Sequence, residues 1–140
     1  MSSAFLWGGR KRNMNAPHYS RFWYVIGFGL ILFVVVASLV PGGALPHLGV
    51  SDKVEHFTAY FGLAVWFGGL LPPRRYLLLG LALLALGGGI EIAQGLMGLG
   101  READWRDFYA GATGATAGLV LCLAGLRHWV SWLEPWLKPG

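Results

Sequence analysis

An all-α polytopic membrane protein, built as a bundle of four transmembrane helices with both termini cytoplasmic, is predicted by three features of this chain. Hydrophobic residues make up 55% of its 140 residues and charged residues only 13%, whereas soluble domains carry about 25% charge. Apolar runs of about 20 residues recur with little charge, the length needed to cross a bilayer core. The basic residues gather in the gaps between those runs, and mostly in alternate gaps. The net charge of +4 therefore reads as membrane topology, and nucleic acid is not an expected partner. The single cysteine, Cys122, lies inside an apolar run and allows neither an intrachain disulfide nor a cysteine metal motif.

Residues 1–21 form a polar segment with Arg10, Lys11, Arg12 and Arg21, expected on the cytoplasmic side. The transmembrane domain then spans 22–126. Its first helix, about 22–40, is too long for the apolar core of a signal peptide, and no small-x-small cleavage site follows it. Pro41-Gly42-Gly43 ends it. A second helix, about 53–71, is capped by Ser51 or Asp52 and carries Lys53, Glu55 and His56 before it turns apolar. Pro72-Pro73-Arg74-Arg75 is a tight basic turn. A third helix, about 76–97, starts as Leu, Ala and Gly and turns polar only at Glu91 and Gln94. A fourth, about 104–126, opens with Asp104 and Asp107, whose charge suits a helix N-terminus. Residues 127–140 hold Trp129, Trp132 and Trp136 and are expected as a short interfacial tail on the cytoplasmic side. The tryptophans are expected as belt anchors at the membrane boundary.

Orientation follows from the positive charges. With the N-terminus inside, the inner segments hold Arg10, Lys11, Arg12, Arg21, Arg74, Arg75, Arg127 and Lys138. The outer ends hold only Lys53, Arg101 and Arg106. The excess inside favours this orientation. Asp52, Glu55, His56, Glu91, Glu102, Asp104 and Asp107 then all fall at or near the outer face.

A charged side chain in hydrocarbon costs at least about 2.5 kcal/mol, so it usually has a partner and often a role. Glu91 lies six residues before Met97, roughly 9 Å below the helix end at 1.5 Å per residue. It is expected to face the bundle interior, partnered by His56, Arg101 or a water-filled cleft. Asp52, His56 and Tyr60 share one face of the second helix at i, i+4, i+8. Glu91 and Gln94 share a face of the third, and Asp104, Asp107 and Gly111 of the fourth. Gly111, Gly114 and Gly118 read as a close-packing surface.

Three readings of this constellation stay open. It is a structural pin, with Glu91 fixing how the helices pack. Or it lines an outward cleft for a polar or anionic headgroup, with Arg101 and Lys53 as donors. Or it is catalytic, with Glu91, His56 and Asp107 as the candidate acid–base groups, in one version around a metal on Asp52, His56 and Asp107. No spaced metal motif such as His-Glu-x-x-His occurs, so neither metal nor cofactor is expected.

The segments Asp52-Lys53-Val-Glu-His56-Phe-Thr-Ala-Tyr60-Phe and Glu91-x2-Gln94-x6-Arg101-x2-Asp104-x2-Asp107-x6-Gly114-x3-Gly118 together resemble the VanZ-like family of small bacterial membrane proteins. The resemblance covers about residues 50–120. It implies a multi-helix protein of the bacterial cytoplasmic membrane acting at the cell envelope. The family's founding member is associated with low-level resistance to the glycopeptide antibiotic teicoplanin. Carried over by position, the resemblance points to Asp52, Lys53, His56, Glu91, Gln94, Arg101 and Asp107. It departs at Gly111, where the family often has asparagine.

The leading expectation is a protein that binds a lipid-linked or anionic envelope ligand through Asp52, Lys53, His56, Glu91, Gln94, Arg101, Asp104 and Asp107. Membrane lipids, a lipid-linked precursor and other membrane subunits are the candidate partners. The alternative is a small accessory subunit of a larger membrane complex, docking through its glycine faces and tryptophan-rich ends. A membrane-embedded enzyme using Glu91 and His56 is the third possibility. Whether the glycine face of the fourth helix packs internally separates the first two.

Overall fold

The computed structural model describes residues 20–41, 49–98 and 102–137. Their order is α1 (Ser20–Leu39), α2 (Asp52–Leu70), α3 (Tyr76–Met97), α4 (Trp105–Leu123) and α5 (Trp129–Leu137), with single 3-10 turns at Pro73–Arg75 and Leu126–His128. The described residues contain no strand. Local chemistry sets the ends. Gly98 closes α3 at φ 60°, a left-handed conformation that favours glycine. Asp104 caps α4 by accepting the Arg106 N–H at 2.9 Å. The fourth helix stops at Leu123, earlier than its apolar run suggests, because the chain turns at Gly125 with φ 132°. The segment Leu126–Leu137 leaves at 78° to α4.

Among the described residues two stretches, Ser20–Leu39 and Pro73–Met97, are long and apolar enough to cross a membrane. Trp105–Leu123 with Leu126–Leu137 makes a third if the bent pair counts as one span. Two or three apolar spans thus stand where four are expected. The Asp52, Lys53, Glu55 and His56 side chains crowd the start of α2 and dilute its apolar length. The surface has the polarity of a membrane protein. Val25, Leu32, Leu77, Leu78 and Leu96 are exposed, while Glu91, Gln94 and Asp107 are buried. Burying these polar groups and exposing the leucines makes sense against lipid.

Side-chain contacts fix an up-down-up-down bundle. Gly114 meets the Phe57 carbonyl, Gly118 the Phe61 carbonyl, and the Cys122 Sγ lies 3.8 Å from the Val65 carbonyl. Both helices advance by four residues at each step, so α2 and α4 run parallel in one register. A stripe of small residues on α4 thus lies on a row of α2 carbonyls. Close backbone approach of this kind supplies packing where apolar burial drives little association. α3 runs opposite to both: Glu91 reaches His56, Gly87 meets Tyr60, and the Tyr76 hydroxyl donates to the Gly68 carbonyl at 2.6 Å. α1 runs alongside α3, its start against Trp66 and Phe67 and its end against Gln94.

Trp23, Trp66 and Trp129, expected as belt anchors, pack on one another at the end of the bundle where α1 begins and α2 ends. They form an aromatic cluster with ring centroids 4.8 to 5.8 Å apart. The Trp66 Nε1 donates to the Trp23 carbonyl at 3.1 Å and the Trp129 Nε1 to the Val65 carbonyl at 3.0 Å. Trp66 and Trp129 are drawn inward because each indole finds a backbone acceptor there, whereas the Trp23 indole N–H is buried without a hydrogen-bond partner and is held by ring packing. Trp129 thereby ties the start of the tail to the bundle, while Trp132 and Trp136 stay exposed.

Gln94 has a comparable role at the opposite end. It is buried, and its Nε2 donates to the Ser38 carbonyl at 2.8 Å. Gln94→Ala should cost about 1 kcal/mol, the usual worth of one such bond. Thermal unfolding in detergent checks this, and an unchanged midpoint would remove Gln94 from the tie between α1 and α3.

Candidate functional site

The polar residues converge where α2 begins, α3 ends and α4 begins. The start of α2 presents Lys53 and His56, one turn apart on its inner side. The last two turns of α3 bring Glu91 to the same level, 1% exposed. The cap and first turn of α4 add Asp104 and Asp107. The helix order alone makes these three ends meet.

Glu91 is held from two sides. Its Oε2 accepts the backbone N–H of Asp104 at 2.9 Å. Its Oε1 lies 3.7 Å from the His56 Nε2, beyond hydrogen-bond reach. The other ring nitrogen, Nδ1, lies 2.9 Å from the Asp52 carbonyl. A carbonyl oxygen only accepts, so the ring proton sits on Nδ1. In the neutral ring, Nε2 then turns a lone pair toward a carboxylate oxygen. Two acceptors in that arrangement call for a proton or a cation between them.

Lys53 spans the rim. Its Nζ lies 3.7 Å from the Asp104 Oδ2 and 3.6 Å from the Asp107 Oδ1. The Arg106 N–H holds the Asp104 carboxyl below the usual carboxylate range, with Lys53 and the Arg106 charge adding to that effect. Beneath the rim, the His56 Nε2, the Tyr60 hydroxyl and the Asp107 Oδ1 are buried without a hydrogen-bond partner. His56, Tyr60, Gly87, Glu91, Phe108 and Gly111 border a cavity of about 10 Å³, room for about one water-sized group.

The sequence candidates therefore divide. Lys53, His56, Glu91, Asp104 and Asp107 form one site. Asp52 is exposed and contributes its backbone carbonyl. Gln94 turns away to α1. Gly111, Gly114 and Gly118 face α2. Arg101 lies outside the described residues. Tyr60, which the sequence places on one helix face with Asp52 and His56 but not among the ligand-binding candidates, joins the site; its position four residues after His56 is the signal. Its ring also accounts for Gly111. A Cβ there would stand 2.9 Å from the Tyr60 Cδ2, so the asparagine of the resembling family would meet the ring.

With Glu91, Asp104 and Asp107 against Lys53, the inner site leans acidic. It suits a proton or metal cation below and leaves an ammonium at the rim. Comparison with protein-family models, curated proteins and solved structures finds no match.

Proposed function

We propose that this chain is a VanZ-like polytopic protein of the bacterial cytoplasmic membrane. It crosses four times, keeps both termini inside, and binds the anionic headgroup of an envelope lipid or lipid-linked precursor at its outer end. One observation carries the reading: Lys53 stands half-exposed at the rim, 3.6 and 3.7 Å from two carboxylates. Charge-assisted hydrogen bonds run at about 2.7–2.9 Å, so these longer ion pairs hold the ammonium loosely and leave it room to turn toward a phosphate or carboxylate oxygen. Arg106 on the first turn of α4 and Arg101 just before the cap add positive charge nearby in the sequence.

Two further features support the reading. An apolar groove of about 250 Å³ runs among Phe28, Ile31, Phe67, Leu79 and Leu86, and shares Leu83 with the small cavity below the rim. An acyl or prenyl chain suits such a groove. The glycine face of α4 is used internally against α2, which removes it as the docking surface of an accessory subunit.

Native mass spectrometry of the full chain, released in mild detergent from its own membranes, tests the proposal. The expected species carries an anionic phospholipid or polyprenyl phosphate, and Lys53→Ala and Arg101→Ala each reduce its retention several-fold. Retention unchanged by both variants, or arrival with other protein chains in fixed stoichiometry, overturns it.

A further inference from the structure

We infer that His56, Glu91 and Asp107 form a binding site for a divalent transition-metal cation of the zinc class. One ligand atom from each of the three residues lies within 4.8 Å of the others. They come from three separate helices, so the cation would hold α2, α3 and α4 together at their shared end. In a tetrahedral zinc site, ligand bonds of about 2.0–2.1 Å place neighbouring ligand atoms roughly 3.4 Å apart. The His56 Nε2 to Glu91 Oε1 separation of 3.7 Å is already near that.

The surroundings are those of a built site. A ligating histidine usually donates its other ring N–H to a carbonyl or carboxylate, which fixes the tautomer. His56 does this to the Asp52 carbonyl at 2.9 Å and leaves Nε2 as the lone-pair donor. Glu91 is oriented in the same sense, because the Asp104 N–H occupies Oε2 and leaves Oε1 facing His56.

A separate observation points to a ligand here. The Tyr60 hydroxyl is buried without a partner, in a residue only 2% exposed, at the cavity bordered by His56 and Glu91. Asp107, 9% exposed, likewise leaves its Oδ1 without a hydrogen bond, with the Lys53 ammonium 3.6 Å away. A cation on His56, Glu91 and Asp107, with one water in the cavity, would satisfy each of these atoms. One imidazole with two carboxylates favours zinc and its neighbours over magnesium. Lys53 faces Asp107 from the rim and would be displaced outward as the cation enters.

The test uses the full chain in mild detergent, stripped with a chelator and then given zinc or magnesium chloride alone. After desalting, bound metal is counted by mass spectrometry and thermal unfolding is recorded. The expected result is about one zinc per chain, a higher unfolding midpoint with zinc and none with magnesium. Asp107→Asn, close in shape to the original, should stay monodisperse and lose stoichiometric zinc; His56→Ala should do the same. Cobalt substitution adds a spectroscopic check, since its visible bands should vanish in both variants. A folded wild-type chain that takes up no zinc overturns the inference. So does zinc uptake that survives in both variants, which would place it on other histidines. Neither outcome touches the headgroup proposal, which is read from retained lipid.

Discussion

Gly114→Ala should unseat α4 from α2 and cost about 3 kcal/mol or more, the upper end of what overpacking does. A Cβ at Gly114 runs into the Phe57 carbonyl and its neighbouring backbone atoms. Backbone has no rotamer with which to step aside, so the helices must separate along their whole shared stripe. Gly118→Ala should do less damage: its nearest obstacles are the Ala64 Cβ at 2.8 Å and the Phe61 carbonyl at 2.9 Å. Gly89→Ala is the control. A Cβ there meets nothing within 4 Å, and replacing a mid-helix glycine by alanine is worth about 0.5–1 kcal/mol in favour of the helix. Circular dichroism during heating in detergent, run on all three, gives the order. An unfolding midpoint for Gly114→Ala equal to that of Gly89→Ala would mean the two helices do not pack as described.

Glu91→Ala should be nearly as severe. Removing one partner from a buried ionic cluster typically costs about 3–5 kcal/mol. Here it strips the acceptor from the Asp104 N–H and leaves His56 facing an empty space. Glu91→Gln should cost less, since a side-chain oxygen remains for the Asp104 N–H. The pair His56→Leu with Glu91→Leu separates packing from function. An apolar replacement of both partners is often neutral for stability, so the double variant should unfold closer to the wild type than the sum of its single changes predicts. It should nonetheless lose zinc. A double variant as unstable as that sum would show that the two side chains do not act on stability as a pair.

Much of the helical layout was legible in the chain. Apolar runs broken by Pro41-Gly42 and Pro72-Pro73 delimit α1, α2 and α3 to within a few residues, because a helix in lipid must satisfy its own backbone and proline and glycine mark where it stops. The end of α4 was less legible. Gly125 interrupts a run whose hydropathy barely changes, and hydropathy carries no record of backbone direction.

The candidate site was legible in kind and less so in detail. Helical spacing puts His56 and Tyr60 on one face and pairs Asp104 with Asp107, since residues four or three apart stack on a helix. Spacing also puts Glu91 and Gln94 on one face, yet they part: Glu91 turns to His56 and Asp104, Gln94 to α1. No pattern within α3 records which neighbour each half of its face will meet. For the same reason no pattern in the chain records that Trp23, Trp66 and Trp129 pack on one another, since an indole at a helix end suits either a membrane boundary or a nearby carbonyl.

The chain by itself determined that the protein is helical and apolar, and that its carboxylates cluster near the ends of three of its helices. These are properties of local composition and period. Only the tertiary structure decided that α2 and α4 run parallel at backbone contact, that Glu91 takes His56 and the Asp104 N–H as its partners, and that Tyr60 closes the space over Gly111. Those outcomes depend on which faces meet across helices far apart in sequence. Steric fit between glycine and carbonyl, which a one-dimensional pattern does not contain, settles which faces those are.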